Sequence, residues 1–291
     1  MKPAEFDYAR PDSVAEALEL LRDNPEAKLL AGGQSLLTLM NLRLARPSMI
    51  IDIGRLSELN RVFDDVDTLV LGALLTHRVV ETDPVIGARD PLLADAARYI
   101  GHIGIRNRGT IGGSVAHADP AAEMPLATLV SGATFHVESA VSGRREVPAE
   151  DMFVSFYESA LEPHEMITWI SLPAIGTDQG WGFVEYAHQH GDYGLAGAGC
   201  LISMSPEGRV QTVRAAVLSA ADRPLLFSET IGAEAAPGLW EDLARTWAAQ
   251  IDPAAEDRDY AHRLCSAALV EALTDAERRA RGEEDPAHVR R

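Results

Sequence analysis

Residues 29–36 read Leu-Leu-Ala-Gly-Gly-Gln-Ser-Leu, and this turn is the strongest structural signal in the chain. A short apolar strand leads into two glycines, and a Gln and a Ser then begin a helix. Because glycine lacks a Cβ atom, the backbone at Gly32 and Gly33 is able to adopt a positive φ and to approach a ligand closely. A turn of this kind leaves several backbone N–H groups unpaired and pointing in one direction. The stretch therefore predicts a site for an anion such as a pyrophosphate.

The elements around this turn form a small β-α-β unit. Ser13 and Glu16 are spaced as a capping box at the start of an amphipathic helix. A strand over 28–30 then runs into the turn, a helix is predicted over about 35–44, and a strand follows over 49–53. Antiparallel pairing is predicted after residue 61, so a doubly wound parallel sheet is disfavoured.

A second glycine motif spans residues 109–120, Gly-Thr-Ile-Gly-Gly-Ser-Val-Ala-His-Ala-Asp-Pro. A helix is predicted before it over 91–100, followed by a polar loop over 101–108 whose arginines are expected to carry solvated charge. Asp119 is expected to be the N-cap of a helix that ends near residue 130. One glycine turn is a common loop feature, whereas two of this character in one chain indicate a binding site.

The rest of the chain predicts an α+β protein throughout. A change of character at 176–180 separates a mixed part that holds both glycine motifs from a part made of a sheet and helices. Strands are predicted over 134–138, 144–147, 166–172, 182–187, 199–204 and 210–218, and helices over 224–231, 239–250 and 257–280.

The net charge of −18, from 44 acidic and 26 basic residues, disfavours nucleic acid and anionic membranes as partners because it repels their phosphates. No run of about 18 apolar residues is present, and residues 1–8 lack the apolar core of a signal peptide. We therefore expect a cytoplasmic protein that is not inserted in a membrane. Cys200 and Cys265 are too few for a disulfide framework or an all-cysteine metal or iron–sulfur cluster. Electron transfer through this chain would require an organic cofactor.

The two glycine motifs together resemble those of one known family. Residues 31–36, residues 110–120 and the Gly191-Asp-Tyr193 tripeptide resemble the FAD-binding medium subunits of the molybdenum hydroxylases, and the resemblance covers essentially the whole chain. It implies an α+β fold of the vanillyl-alcohol-oxidase (PCMH) type, with two α+β subdomains that hold FAD and a C-terminal flavoprotein domain of sheet and helices. The implied divisions are residues 1–55, 56–175 and 176–285, with a tail over 286–291.

The same resemblance implies a set of cofactor-binding residues and neither a catalytic residue nor a metal ligand on this chain. Backbone N–H groups of both motifs are expected to hold the FAD diphosphate, and Tyr193 is expected to tune the flavin ring beside it. The implied FAD contacts are Leu30, Ala31, Gly32, Gly33, Gln34, Ser35, Leu36, Ile100, Thr110, Gly112, Gly113, Ser114, His117, Asp119, Glu123, Ile167 and Tyr193.

Several of these positions also have a purely structural interpretation. Ile100 and Ile167 match apolar positions that line the flavin ring in the family, but core packing predicts the same residue types. Glu123 stands where the family has an Asp that contacts the adenosine ribose, whereas stabilisation of a helix N-terminus explains it equally well. Gln34 and Ser114 differ from the commoner residues at their positions, which leaves the roles of their side chains open.

The histidines of the chain do not indicate a metal site. They lack a recognised metal-ligand spacing with a third acid or thiol nearby. No metal site is therefore predicted for His77, His102, His117, His188 or His190. Glu185 is a weaker candidate for a residue at the pyrimidine edge of the flavin.

The resemblance implies that this chain carries FAD as an electron-transfer subunit, while hydroxylation takes place on another chain. The implied partners are a large subunit with the molybdopterin cofactor and a small subunit with two 2Fe–2S clusters, expected as a dimer of heterotrimers. A stand-alone FAD-dependent oxidase of the same fold is the alternative, although such enzymes usually carry a further substrate domain. A non-catalytic nucleotide-binding regulator is a third interpretation, which the visible spectrum of a bound flavin would contradict.

Overall fold

A computed structural model describes residues 2–189, 191–253 and 257–283 of the chain. Helices and strands alternate irregularly along the sequence. The strands are β1 (Asp7–Ala9), β2 (Lys28–Leu30), β3 (Met49–Asp52), β4 (Val62–Asp64), β5 (Thr68–Gly72), β6 (Thr134–Ser139), β7 (Gly143–Pro148), β8 (Phe153–Ser155), β9 (Glu158–Ser159), β10 (Met166–Pro173), β11 (Gln179–Tyr186), β12 (Ala196–Met204), β13 (Val210–Leu218) and β14 (Leu225–Ala233). The helices are α1 (Val14–Asp23), α2 (Leu36–Asn41), α3 (His77–Thr82), α4 (Pro84–Arg89), α5 (Pro91–Tyr99), α6 (Ile103–Arg106), α7 (Ile111–His117), α8 (Glu123–Val130), α9 (Ala149–Met152), α10 (Leu239–Ala248) and α11 (Arg258–Ala280).

The N-terminal part is a three-stranded parallel sheet in the order β1-β3-β2. The predicted β-α-β unit is confirmed, because β2 and β3 pair in parallel and α2 lies between them in sequence. Ser13 caps α1 by accepting a hydrogen bond from the Glu16 N–H at 3.2 Å, and the Glu16 carboxylate accepts one from the Asp12 N–H at 2.8 Å. α2 ends at Asn41 and is shorter than predicted, because Arg43 adopts a φ of 61° and turns the chain.

The middle part is a five-stranded antiparallel sheet in the order β4-β5-β10-β6-β7. The antiparallel pairing predicted just after residue 61 is confirmed by β4 and β5. The expected role of Asp119 as a helix N-cap is wrong. α8 begins only at Glu123, after the N-cap residue Ala122. The Ala122 N–H donates to the Asp119 carbonyl at 3.0 Å, and the Asp119 carboxylate accepts the Ala121 N–H at 2.9 Å. Asp119 therefore stabilises a turn that precedes the helix.

The C-terminal part is a four-stranded antiparallel sheet in the order β11-β12-β13-β14, covered by α10 and α11. Two glycines of β11 allow α11 to lie unusually close to the sheet. A Cβ atom on Gly182 would lie 2.8 Å from the carbonyl carbon of Ala272, and one on Gly180 would lie 2.4 Å or less from the α11 backbone. The glycines of β11 thus set the distance between this sheet and its long helix.

The helix predicted over 224–231 is wrong, because these residues belong to strand β14. Without β14, the outer edge of β13 would expose a row of unpaired backbone groups, and β14 satisfies them by antiparallel pairing. Phe227 of β14 stacks on Trp247 of α10 with ring centroids 5.4 Å apart. Cross-strand pairing and this contact override the local preference of the segment.

Within the described residues, three clusters of buried apolar side chains follow this arrangement. One lies between α1 and the parallel sheet, the largest lies between the five-stranded sheet and its helices, and the third lies between the four-stranded sheet and α10 and α11. The predicted divisions at residues 55, 175 and 285 stay predictions, and the predicted tail over 286–291 lies outside the described residues. No helix within the described ranges is long and apolar enough to cross a membrane.

Candidate functional site

The first glycine turn presents a row of free backbone donors. β2 ends at Leu30 and α2 begins at Leu36, and the N–H groups of residues 32–36 have no acceptor in the described part of the chain. Gly33 adopts a φ of 74°, a conformation that residues with a Cβ atom rarely adopt. Consecutive free N–H groups at the start of a helix are suited to binding an anion.

Side chains of this turn maintain its shape and leave one hydroxyl free. The Gln34 side-chain amide donates to the Gly32 carbonyl at 3.2 Å, which closes the turn on itself. Ser35 is the N-cap residue of α2, but its hydroxyl makes no capping hydrogen bond. The Leu37 N–H donates to the Gly33 carbonyl at 3.3 Å and starts the helix. The Ser35 hydroxyl is therefore available to a bound group, while Gln34 supports the turn.

The second glycine turn differs from the prediction, because its backbone donors are already used within the protein. Thr110 is the N-cap residue of α7, and its hydroxyl accepts the Gly113 N–H at 3.2 Å. The Thr110 carbonyl accepts the Ser114 N–H at 2.9 Å, and the Gly112 N–H donates to the Ala73 carbonyl at 2.9 Å. The expectation of a second cradle of N–H groups at these residues is therefore wrong. They would meet a ligand through side chains and through close approach.

Close packing of the two turns explains their glycines. A Cβ atom on Gly32 would collide with the Arg108 carbonyl oxygen and would lie 2.8 Å from the Cα atom of Gly109. A Cβ atom on Gly113 would face the Cβ atom of Ala31 at 3.8 Å. The structure thus brings the two motifs, which are far apart in the sequence, into direct contact.

Two partly buried carboxyl groups interact beside these motifs. Glu123 is the first residue of α8, and Glu185 lies near the end of β11. Burial, and then the charge of Glu185, raise the pKa of Glu123 to about 8. Burial raises the pKa of Glu185 to about 7, and its Oε2 atom is buried with no hydrogen-bond partner among the described residues. Because an unpaired buried polar atom is costly, this pair is suited to hydrogen bonding with a bound group.

Aromatic side chains lie near Glu123 and Asp119. Tyr193 is 74% exposed, and local desolvation together with the charges of Asp119, Tyr157 and Glu123 raises the pKa of its phenol. The His117 and Tyr157 rings lie 5.1 Å apart, and burial lowers the pKa of His117. We name these residues the carboxyl–aromatic cluster, which consists of His117, Asp119, Glu123, Tyr157, Glu185 and Tyr193.

Comparison with known proteins identifies the family. Residues 4–175 match the family model described as "FAD binding domain in molybdopterin dehydrogenase", which is more than half of the chain. The chain belongs to this family. It is accordingly an FAD-binding oxidoreductase subunit, and the resemblance seen in its two glycine motifs is confirmed.

Relatives of this flavin subunit cover most of its length. The chain is 41% identical over 219 residues to subunit alpha of the 6-hydroxypseudooxynicotine dehydrogenase complex of Paenarthrobacter nicotinovorans, which covers 75% of this chain and 74% of that protein. It is 40% identical over 227 residues to the carbon monoxide dehydrogenase medium chain of Hydrogenophaga pseudoflava, covering 77% and 78%. A solved structure of carbon monoxide dehydrogenase from that organism, which lacks the Mo-pyranopterin moiety, matches with a TM-score of 0.92 at 35% identity, covering 96% of this chain and 99% of its own. The fold is therefore the PCMH-type FAD-binding fold with its C-terminal domain.

The residues of the flavin subunit fit FAD in three independent ways. The first turn offers the free N–H groups of residues 32–36 to a diphosphate. Glycine at positions 32 and 113 lets the two motifs pack directly against each other, so the second motif lies beside the free N–H groups of the first turn. The unpaired Glu185 Oε2 supplies a polar group for a ring or ribose. The individual contacts assigned to Leu30, Ala31 and Leu36 stay predictions.

The two isoleucines that are predicted beside the flavin ring are core residues in this structure. Ile100 directly follows α5 and is 9% exposed, and Ile167 lies on β10 opposite Val137 and is 4% exposed. Both belong to the largest buried cluster. Core packing accounts for both residues, and contact with the flavin stays a prediction.

The described residues contain no group of three or more His, Cys, Asp or Glu side chains arranged to hold a metal ion. His77 is buried against Gly109, and its Nδ1 atom has no partner in the described part of the chain. Burial, and then the charge of Arg106, lower the pKa of His77 to about 4, so the ring is neutral at physiological pH. His190 lies outside the described residues.

Sequence reasoning missed two residues near the site. Tyr157 adopts a φ of 55°, and its N–H donates to the Ala118 carbonyl at 3.2 Å, which brings its ring beside His117. Arg106 was expected on a solvated loop, but it ends the short helix α6 and is buried. The sign available in the sequence is the apolar side chain of Ile105, which lies next to Arg106 and packs against the largest buried cluster.

Proposed function

We propose that this chain is the FAD-carrying electron-transfer subunit of a heteromeric molybdenum hydroxylase. It takes electrons from 2Fe–2S clusters on a small partner subunit and passes them to an external acceptor. Hydroxylation of the substrate belongs to a large partner subunit that holds the molybdopterin cofactor. The observation that carries the proposal is the coincidence of the family match with the free N–H groups of residues 32–36 inside it.

The residues of the chain bind and surround the cofactor and have no acid–base step of their own. The N–H groups of residues 32–36 and the Ser35 hydroxyl hold the diphosphate. Gly113 permits close approach, and the Ser114 hydroxyl adds a polar contact. The carboxyl–aromatic cluster borders the rest of the cofactor and restricts its exposure to water. Bound FAD supplies the exchange between one-electron donors and a two-electron acceptor.

The names of the relatives support a role within a larger complex. One relative is a subunit of a dehydrogenase complex and another is the medium chain of carbon monoxide dehydrogenase. We extend this to a dimer of heterotrimers in the cytoplasm, where the two free, buried cysteines would stay reduced. The substrate of the complex is set by the large subunit, so this chain does not specify it.

The chemistry of the cysteines argues against the alternative of a stand-alone oxidase with a covalently attached flavin. Cys200 and Cys265 are both buried, and burial raises the pKa of each thiol, that of Cys265 to about 11. A buried thiol with a raised pKa is a poor nucleophile, so neither residue is suited to covalent attachment of a flavin.

A spectroscopic experiment with and without partners tests the proposal. The chain is purified alone and after co-expression with the products of the neighbouring genes, and each sample is mixed without oxygen with candidate substrates. We expect a flavin spectrum in both samples and bleaching by a substrate only in the complex. Bleaching of the flavin in the chain alone would contradict the relay and favour the oxidase, and a chain that never binds flavin would contradict both.

A flavin-depleted complex separates the relay from hydroxylation. Substrate should still bleach the iron–sulfur absorbance of such a complex, while reduction of a dye acceptor becomes much slower. Re-addition of FAD should restore dye reduction. Unchanged dye reduction without flavin would show that electrons leave the complex elsewhere.

A further inference from the structure

A buried ion pair lies behind the segment that carries Tyr193. The Nε atom of Arg106 lies 3.0 Å from the Oε2 atom of Glu81, and the two side chains are only 11% and 13% exposed. Removing both charges from water is costly, and such pairs are often no more stabilising than apolar residues of similar size. The pair therefore calls for an explanation beyond stability.

The guanidinium of Arg106 also holds the backbone that follows α5. Its Nη1 atom donates to the carbonyls of Ile100 and Gly101, each at 3.1 Å. Gly101 adopts a φ of 44°, and a Cβ atom there would lie 2.9 Å from the side chain of Ile105. The turn at Gly101 is thus fixed from two sides, by the guanidinium and by α6.

The segment from Gly191 to Tyr193 packs against the turn at Gly101. A Cβ atom on Gly191 would lie 2.8 Å from the carbonyl oxygen of Gly101 and 3.0 Å from its carbonyl carbon. Gly191 adopts a φ of 88°, and the Asp192 N–H donates to the Gln189 carbonyl at 3.1 Å. Backbone therefore lies directly on backbone, and a shift of Gly101 would displace the segment that ends in Tyr193.

We propose that Arg106 is a positioning residue for the flavin ring. Its hydrogen bond to the Gly101 carbonyl fixes the backbone against which the segment from Gly191 to Tyr193 packs. Its hydrogen bond to the Ile100 carbonyl fixes the end of α5. The inference rests on the proposed function, because Ile100 and Tyr193 are the residues predicted beside the ring. One planar guanidinium reaches a carboxylate and two carbonyls at once, which the single ammonium of a lysine does not reproduce.

The chain offers a matched pair of substitutions to test this link. Arg106→Lys keeps a cation opposite Glu81, so the carboxylate is not left buried alone. Arg78 lies 3.1 Å from the same Glu81 oxygen, but its side chain is 42% exposed and it has no bond to the Gly101 turn among the described residues. Arg78→Lys therefore changes the same carboxylate's surroundings without touching the turn.

Hydrogen exchange in the flavin-free chain tests whether Arg106 holds the segment from Gly191 to Tyr193 in place. The Asp192 N–H, which donates to the Gln189 carbonyl, is the amide to follow; we expect it to exchange about tenfold faster in R106K, since a charged hydrogen bond is lost, and at the parent rate in R78K. Gly191→Ala leaves the ion pair intact and removes the close contact with Gly101, and it should raise exchange at Asp192 in the same way. Equal rates in the parent, R106K and G191A would overturn the proposal, as would equal acceleration in R106K and R78K.

The fluorescence of FAD bound to the chain tests whether Arg106 also affects the surroundings of the flavin ring. An aromatic ring beside a flavin quenches its fluorescence, so Tyr193→Ala should raise the fluorescence of bound FAD. R106K should change it in the same direction, R78K should not, and the double variant R106K/Y193A should match Y193A alone. Additive effects would overturn the proposal. If Y193A leaves the fluorescence unchanged, the placement of Tyr193 in the proposed function fails, while the exchange rates still decide whether Arg106 seats the segment.

Discussion

The two glycine turns of this protein look alike in sequence and do different physical work. Residues 32–36 leave their N–H groups without a protein acceptor in the described structure, whereas the N–H groups of residues 111–114 are all bonded within the protein. Gly32 is a glycine because the second turn packs against it, and Gly112 is one because Ala73 lies beneath it. The first turn therefore keeps free donors for the ligand that we propose, whereas the second turn uses its donors within the protein and packs against the first.

This difference matters for any interpretation of glycine motifs. A glycine pair shows only that the backbone must pass close to something, and that neighbour is either a ligand or another segment of the chain. The number of unsatisfied N–H groups distinguishes the two cases, because a buried donor needs a partner. The following predictions test whether the two turns really divide the work in this way.

The largest effect is expected from Gly32→Val. The new side chain would collide with the Arg108 carbonyl, and because backbone cannot yield easily, the two turns must separate. We expect complete loss of FAD retention and a fall of about 3 kcal/mol in the free energy of unfolding. The ratio of flavin to protein absorbance and denaturant unfolding of the flavin-free chain measure the two effects.

Gly87→Ala is the matched control for that substitution. A Cβ atom on Gly87 would meet no atom within 4 Å, and the residue lies inside α4. The exchange should stabilise the chain by about 0.5–1 kcal/mol and leave FAD binding unchanged. Normal stability of Gly32→Val with loss of flavin alone would mean that Gly32 faces the ligand and not the second turn.

The second prediction concerns the pH dependence of stability, which the carboxyl groups of Glu123 and Glu185 give to the site and the backbone N–H groups of the first turn do not. The backbone N–H groups of the first turn keep their protons at all physiological pH values, whereas Glu123 and Glu185 have pKa values raised to about 8 and about 7. With raised pKa values, the stability that the neutral carboxyls contribute is present at low pH and is lost as the pH rises through 7 and 8. The melting temperature of the flavin-free chain should therefore fall as the pH rises from about 4.5, the ordinary pKa of a Glu carboxyl, to about 8, and change little above that.

Glu185→Gln should reduce that fall, because the amide stays neutral and no longer repels an ionised Glu123. Glu241→Gln, at an exposed position of α10, should leave the pH profile unchanged. Differential scanning calorimetry at several pH values measures both. Parallel profiles for the parent and Glu185→Gln would contradict the coupling of the two carboxyls.

The features that the sequence predicts correctly are those with local causes. The capping box at Ser13 and Glu16 and the free N–H groups of the first glycine turn depend on residues a few positions apart, and the β-α-β unit joins segments that follow one another in the sequence. The family resemblance adds the fold, because it combines two such motifs. These features do not need knowledge of distant partners.

The wrong predictions at the second turn, at Arg106 and in β14 depend on partners outside the segment itself. The acceptor of the Gly112 N–H is Ala73, and the partner of Arg106 is Glu81. Strand β14 exists because β13 offers it an edge, although its own apolar spacing also suits a helix. In each case a partner outside the local segment satisfies a backbone or side-chain polar group, and the periodicity of the segment does not contain that information.

A third, smaller effect is expected from removing the free hydroxyl of the first turn. Ser35 makes no capping hydrogen bond, so Ser35→Ala should leave the free energy of unfolding of the flavin-free chain nearly unchanged. If the hydroxyl contacts the diphosphate, FAD affinity should fall about tenfold, as for loss of a hydrogen bond to a charged group. Fluorescence titration with FAD measures the affinity. A fall in stability with unchanged affinity would assign Ser35 to the fold.

The smallest effect is expected at the second turn, where removal of a hydroxyl should lower stability and leave FAD affinity unchanged. The Thr110 hydroxyl accepts the Gly113 N–H at 3.2 Å, so Thr110→Val should lower the free energy of unfolding by about 1 kcal/mol, and Thr110→Ser should retain the cap and the stability. FAD affinity should change little in either variant, because the hydroxyl is engaged within the protein. Urea unfolding and FAD titration of the same samples give both quantities. If Thr110→Val instead weakened FAD binding and left stability intact, the second turn would also be a ligand site, and the division of work between the turns would not hold.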